Sequence, residues 1–351
     1  MYLSLMEVEN LRCLHQAELE FHPASNLILG PNGAGKTSLL EAVYLLARGR
    51  SFRTRNTERL LSAGSSSLRV FGRLAESAAG TIGFGFSRDE GTEVRIDRRT
   101  PGSLAELSIA FPALILDPGI HRLVEEGPSL RRKWLDWGVF HVEHGFVELW
   151  SAFSLTLKQR NAALKIGHDP SPWDVELARL GENLSAARRQ ALAQLEPHWR
   201  RAVDALLGIQ VDLAYFQGWS QERSLTESLQ NHRAADMERG TTGLGPHRFD
   251  VQLTVERKAA RDFLSRGQQK LLGAAMTLSM AGLVTELTGR SPTLLVDDPA
   301  AELDAEKTAR LLAEVRRLQG QLIFTSLDLV NASSLQPERL FHVEQGRVQR
   351  V

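Results

Sequence analysis

The residues best suited to chemistry are Lys36 and Thr37, which close the run Gly30-Pro31-Asn32-Gly33-Ala34-Gly35-Lys36-Thr37-Ser38. An apolar stretch (26–29) precedes the run and an apolar-periodic one follows it, the strand-turn-helix context that a phosphate-binding loop requires. Glycines let the backbone approach a polyphosphate, and successive N–H groups form an anion nest at a helix start. Lys36 reaches the β/γ oxygens as a point charge, and the Thr37 hydroxyl is placed to ligate Mg²⁺. A second signal is Leu294-Leu295-Val296-Asp297-Asp298-Pro299, an apolar run ending in two acids. In P-loop enzymes such an acid holds the metal, so Asp297 takes that part. Asp298 is then the candidate for orienting or deprotonating an attacking water. The third is Leu264-Ser265-Arg266-Gly267-Gln268-Gln269-Lys270, where a serine hydroxyl at a helix start makes an anion site. Taken singly, the serine–glycine pair could be a mere cap and the acids a solvated turn.

These groups need strands and helices to bring them together. Short alternating runs at 2–8, 17–21 and 26–29 read as strands, the first two pairing antiparallel and the third entering the phosphate loop. Strand-like runs at 68–74, 81–86 and 94–97 suggest an antiparallel meander, and 113–116 a buried strand. From 129 to 207 helical periodicity dominates, broken by Pro170-Ser171-Pro172. Strands are expected at 210–215 and 249–255, a helix from the serine–glycine motif to about 288, a strand at 293–297, a helix at 304–319 and strands at 321–325, 340–343 and 347–351. This predicts an α/β protein with a split nucleotide domain, residues 1–125 with 246–351, and a mainly helical lobe inserted at 126–245.

Composition sets outer bounds. Lys+Arg and Asp+Glu are both 42, so any contact with nucleic acid must come from local patches. A lone cysteine, Cys13, excludes an internal disulfide framework or a Cys-rich zinc site and fits a reducing cytosol. No stretch approaches the ~20 apolar residues of a membrane span, the longest candidate (274–284) reading as a buried helix. With no signal peptide evident, the expected location is cytoplasmic.

Together the motifs resemble those of the ABC-type ATPases. Residues 30–37 look like their Walker A, Ser265-Arg266-Gly267-Gln268 like their signature, Asp297-Asp298-Pro299 like Walker B and Ala301-Glu302-Leu303-Asp304 like the D-loop. The resemblance implies a P-loop ABC-type ATPase head, with a mixed sheet and an antiparallel β subdomain, that binds ATP and Mg²⁺. It also implies a head-to-tail homodimer in which Ser265, Arg266, Gly267 and Gln268 act in trans. A closer resemblance, over nearly the whole chain, is to the RecF family of bacterial recombination mediators. Its residues include Asn10-Leu11-Arg12, Gly49-Arg50-Ser51-Phe52-Arg53, Lys158-Gln159-Arg160-Asn161 and Gly245-Pro246-His247-Arg248. That resemblance implies a DNA-stimulated, slow ATPase acting as a switch in repair, replication and the SOS response. ATP would drive dimerisation on gapped or ss/ds-junction DNA, with RecR, RecO and RecA as partners.

The chain departs from the wider pattern at Asp298, where most ABC ATPases carry Glu, and at Ser326, where transporters carry a switch histidine. Asp117-Pro118-Gly119 lacks the Glu that the RecF pattern would place at Gly119. Basic clusters at Arg50/Arg53/Arg55, Arg131/Arg132/Lys133, Arg188/Arg189 and Arg200/Arg201 are candidates for DNA, with Arg53, Arg55, Arg131 and Arg132 chosen; solvated helix faces are the alternative. A transporter ATPase subunit, an SMC/Rad50-like tether and a small-molecule kinase are competing readings. The long gap between Lys36 and Asp297 counts against the first, the lack of heptad runs against the second and the serine–glycine motif against the third.

Overall fold

The computed structural model describes residues 1–327 and 336–351. They form two compact units, Met1–Ile120 with Ala274–Val351, and His121–Gly273. In the first, β1 (Tyr2–Leu11) and β2 (Leu14–Glu20) form an antiparallel hairpin, and β3 (Ser25–Leu29) is buried at every position. The phosphate-loop run leads into α1 (Lys36–Arg48), which ends at Gly49 in the left-handed conformation, φ +62°. Then come β4 (Ser67–Ala75), β5 (Thr81–Ser87), β6 (Gly91–Ile96), α2 (Leu104–Ala110) and β7 (Ala113–Leu116). The expected meander is present but is no separate patch. β4 pairs with β1, giving one five-stranded antiparallel sheet in the order β2-β1-β4-β5-β6.

α1 is buried through Leu39, Leu40, Ala42, Val43, Leu45, Leu46 and Ala47, sharing one core with Leu3, Met6, Val8, Val70, Ile82 and Phe84. Its one acid, Glu41, is fully buried too. Arg12 grips it with two bonds of 2.9 Å, Ser51 donates to it, and Arg53 lies 3.7 Å away. A buried carboxylate persists only when paired in this way. The pairing ties the hairpin and the basic loop after α1 to the phosphate-loop helix.

The second unit opens with α3 (Arg122–Glu125), α4 (Pro128–Val142), α5 (Phe146–Lys165) and the 37-residue α6 (Ser171–Leu207). The first helical half is thus two helices, because Gly145 (φ +84°) turns the chain before α5. The expected break at Pro170-Ser171-Pro172 is present: α5 ends at Lys165 and α6 starts at Ser171, with Pro172 in its first turn, where a proline gives up no intrahelical bond. After β8 (Asp212–Phe216), α7 (Leu225–Arg239) starts on a Ser224/Glu227 capping box. Next are β9 (Asp250–Val255), β10 (Lys258–Ala259) and α8 (Ala260–Phe263), with β8, β9 and β10 in one antiparallel sheet. The β8–β9 ladder draws the segment after residue 245 into this unit, which extends to Gly273.

The motif Lys158-Gln159-Arg160-Asn161 is architectural in this unit. Arg160, fully buried, bonds to Asp174 at 2.9 Å, Asp236 at 2.8 Å and Thr242 at 2.8 Å. Asn161 accepts from the Thr242 amide and hydroxyl at 2.8 and 2.7 Å. Together they fasten the turn after α7 to α5 and α6. His247 bonds to the Thr242 carbonyl at 3.1 Å, and burial pushes its pKa down from 6.5 to about 4.

The chain leaves this unit within α9 (Arg266–Thr288), then forms β11 (Thr293–Val296), α10 (Ala305–Arg316), β12 (Leu322–Ser326), β13 (Arg339–Glu344) and β14 (Arg347–Arg350). By length and composition α9 could span a membrane, a longer apolar helix than the 274–284 segment suggested, but 72% of its apolar window is buried in the protein. The later strands join β3 and β7 in a six-stranded sheet, order β14-β13-β3-β12-β11-β7, parallel except for β14. Gln321, just before β12, is buried and bonds to both backbone groups of Leu3 at 3.0 and 2.8 Å, as a paired strand would.

Candidate nucleotide site

β12 lies between the strand that feeds the phosphate loop, β3, and the strand that ends in the acids, β11. A parallel order of this kind sets the loop and the acids side by side at the carboxyl ends of the strands, where open α/β sheets bind ligands. The outcome is a contact across the chain: the Thr37 hydroxyl lies 3.1 and 3.0 Å from the two carboxylate oxygens of Asp297. Asp297 is 7% exposed, so its charge faces a water-poor site.

The loop has the shape its glycines suggest. Gly33 has φ +78°, a conformation that side chains disfavour. Gly30 is required for another reason, since a Cβ there would overlap the Val343 carbonyl of β13. The loop is held from outside as well, by the Gly346 amide donating to the Ala34 carbonyl at 2.9 Å. Gly35 begins α1 without a side-chain cap, and no acid lies in the first turn. Such a helix start keeps its positive dipole end and its amide donors for an anion. The Lys36 ammonium is folded back onto the carbonyls of Gly30 and Pro31, at 2.7 and 3.0 Å. Burial lowers its pKa, while Asp298 and then Asp297 act in the opposite direction.

Asp298 has φ +46°, uncommon for a residue with a side chain. Its amide donates to the Thr325 hydroxyl at 2.9 Å, and that hydroxyl donates to Asp297 at 2.8 Å. Thr325 has no sequence signal of its own, because its part depends on the register of β12 against β11. Ser326 ends the same strand and is buried.

The hard oxygens of Thr37 and Asp297 suit Mg²⁺, which prefers carboxylate and hydroxyl ligands completed by phosphate and water. Among the described residues there is no cluster of three or more His, Cys, Asp or Glu able to hold a metal by itself.

The serine–glycine motif lies at the start of α9. Ser265 and Gln268 cap each other, amide to side chain, at 3.0 and 3.4 Å. Ser265 and Arg266 are exposed, and a Cβ built on Gly267 would meet nothing within 4 Å among the described residues. Asp304 of the D-loop run caps α10 through the Lys307 amide at 2.8 Å.

The basic candidates divide. Arg53 is 44% exposed on its side chain and Arg55 is exposed. Arg131 is buried, with two 2.9 Å bonds to Asp250 and others to the carbonyls of Leu123 and Glu126. Arg132 donates to the Phe249 carbonyl at 3.0 Å. The pair thus anchors α4 to the start of β9, and Arg131 has no free face for a DNA phosphate. Arg188 is likewise committed, bridging Asp136 at 2.7 Å and the Pro246 carbonyl at 2.8 Å.

A phosphate loop, an acid strand beside it and an antiparallel sheet sharing the loop helix's core define the head of an ABC/SMC-type ATPase. The RecF/RecN/SMC N terminal domain family matches residues 2–349. The DNA replication and repair protein RecF of Chromohalobacter salexigens is 37% identical over 360 residues, 99% of each chain. A solved structure of the recombination mediator protein RecF with ATP aligns with TM-score 0.87 and 26% identity, covering 100% of this chain and 97% of that one. A solved Smc head bound to the C-winged helix domain of ScpA aligns at TM-score 0.61 and 13% identity, over 100% of this chain and 97% of that one, a likeness of fold alone. The chain belongs to the RecF family.

Proposed function

We propose that this protein is an ATP-dependent, DNA-binding switch of recombinational repair and replication-fork maintenance, working in the cytoplasm. The observation that carries the ATP reading is the convergence of Thr37 and Asp297 to 3.1 Å or less, beside a phosphate loop with its lysine. Lys36 moves from the Gly30 and Pro31 carbonyls to the phosphate oxygens, and the amides at the α1 start receive the remaining charge. Thr37 and Asp297 would hold Mg²⁺, which would supply positive charge to offset that of the phosphate oxygens. Asp298 orients the attacking water. Its side chain is one methylene shorter than the usual Glu, consistent with slow hydrolysis.

The signature residues Ser265, Arg266, Gly267 and Gln268 close the site of a second copy. Gly267 supports this reading: a helix glycine costs about 1 kcal/mol relative to alanine, and nothing among the described residues approaches it closely enough to require one. The dimer closes on gapped or junction DNA, with Arg53 and Arg55 as phosphate contacts. RecR and RecO are proposed partners, by the family and by the RecFOR pathway to which the solved RecF relative is ascribed, with RecA loaded as the outcome.

Sedimentation with ATP, ADP or no nucleotide, with and without gapped duplex, tests the proposal. ATP-only dimers that retain DNA are expected. Lys36→Ala should lose ATP binding, whereas Ser265→Arg should bind ATP and stay monomeric. A Ser265→Arg chain that dimerises normally with ATP would refute closure in trans.

A further inference from the structure

We infer that Thr325 is a positioning residue for ATP hydrolysis, using one hydroxyl to set both acids of the site. The inference rests on the nucleotide reading above. Thr325 is fully buried near the end of β12. Val296 pairs with Phe324 and Ile28 with Thr325, so the residue lies level with the first acid and beside the strand entering the phosphate loop. A hydroxyl has one proton to give and lone pairs to receive. Here the proton goes to Asp297 Oδ1 at 2.8 Å, and a lone pair accepts the Asp298 amide at 2.9 Å.

Each bond has its own consequence. The first holds the Asp297 carboxylate in the rotamer that faces Thr37, which approaches both of its oxygens. Fixing a metal-ligating carboxylate from behind sets the geometry and affinity of the metal it holds. The second engages the amide of a residue held at a φ of +46°, uncommon for any residue other than glycine. Without that bond Asp298 loses a restraint on the backbone that aims its carboxylate. One hydroxyl therefore couples metal binding to water orientation without touching the nucleotide.

Valine keeps the shape of threonine and lacks the hydroxyl, while serine keeps the hydroxyl. T325V and T325S are compared with wild type for ATP turnover and, without turnover, for the Mg²⁺ dependence of binding a fluorescent non-hydrolysable ATP analogue, with K36A as the inactive control. For T325V we expect kcat to fall about tenfold or more, the Mg²⁺ concentration for half-maximal analogue binding to rise several-fold, and KM for ATP to stay within about twofold. T325S should remain within about twofold of wild type. A purely structural role would lower the folded fraction and leave the Mg²⁺ requirement of the folded molecules unchanged. If T325V does not fold, T325C takes its place, its thiol being a weak donor, and should fall between serine and the control. T325V or T325C matching wild type in both kcat and Mg²⁺ requirement, with K36A inactive, would overturn the inference alone. A wild-type chain that hydrolyses no ATP, or a K36A chain that hydrolyses it normally, would overturn the nucleotide reading and this inference with it.

Discussion

Replacing Arg160 with methionine keeps most of the side-chain volume and removes a guanidinium that bridges Asp174, Asp236 and Thr242 with no exposure to solvent. The two carboxylates do not suffer equally. Asp174 keeps Arg233 at 2.8 Å, while Asp236 keeps the Gly243 amide at 2.9 Å and loses its cation. Stranding a buried charge in this way costs about 3–5 kcal/mol, and the bonds that survive point to the lower end, about 3 kcal/mol. For a domain whose total stability is of order 5–15 kcal/mol, that is a large fraction. The six tryptophans, at 134, 137, 150, 173, 199 and 219, all lie within His121–Gly273, so intrinsic fluorescence in urea reports on this unit. R160M should shift that transition to lower urea by the equivalent of about 3 kcal/mol, and adding D236N should recover part of the loss. A shift worth less than about 1 kcal/mol, or no recovery with D236N, would refute the account.

Two further expectations follow from the same physics. His247 is held near pKa 4 in the folded chain against 6.5 ordinarily, so the unfolded chain binds the proton more readily. Its contribution is fully present above pH 6.5 and is lost as pH falls toward 4, by on the order of 3 kcal/mol; H247Q should flatten that part of a stability–pH curve, and an unchanged slope would remove His247 as its source. G30A would push a methyl into the Val343 carbonyl, an overpacking penalty of about 1–3 kcal/mol borne by the phosphate loop. ATP affinity should fall about tenfold in titration with a fluorescent analogue, with the far-UV spectrum unchanged, and equal affinity would refute the contact.

What was legible in the sequence was local. The phosphate loop is contiguous, so its glycines, lysine and threonine carry their geometry in their order, and the acids of 297–298 advertise themselves at the end of an apolar run. The strand at 113–116 was read to the residue for the same reason. What escaped depends on pairing between distant segments. Arg131 looked like a surface cation because nothing nearby announces Asp250 as its partner. The β8–β9 ladder, which draws 250–255 into the helical unit, joins two short alternating runs that could each have paired elsewhere. Thr325 is one threonine in a buried strand until register sets it level with Asp297. The Gly145 break has no signal in the sequence, because helical periodicity continues on both sides of it.

The support of the phosphate loop by β13 and Gly346 also bears on how the protein is made. Gly30 lies against Val343 and Ala34 accepts from Gly346, two residues that emerge from the ribosome long after the loop itself. Of the two central strands of the six-stranded sheet, β3 and β12, the second is late as well. Domains tend to fold in order of synthesis, and contacts of long sequence separation form slowly. The nascent chain therefore carries its phosphate loop in an unfinished state until β13 and Gly346 have emerged. Its helical unit, whose segments are contiguous, can fold in the interim, so competence to bind ATP waits until the segment carrying Val343 and Gly346 has emerged.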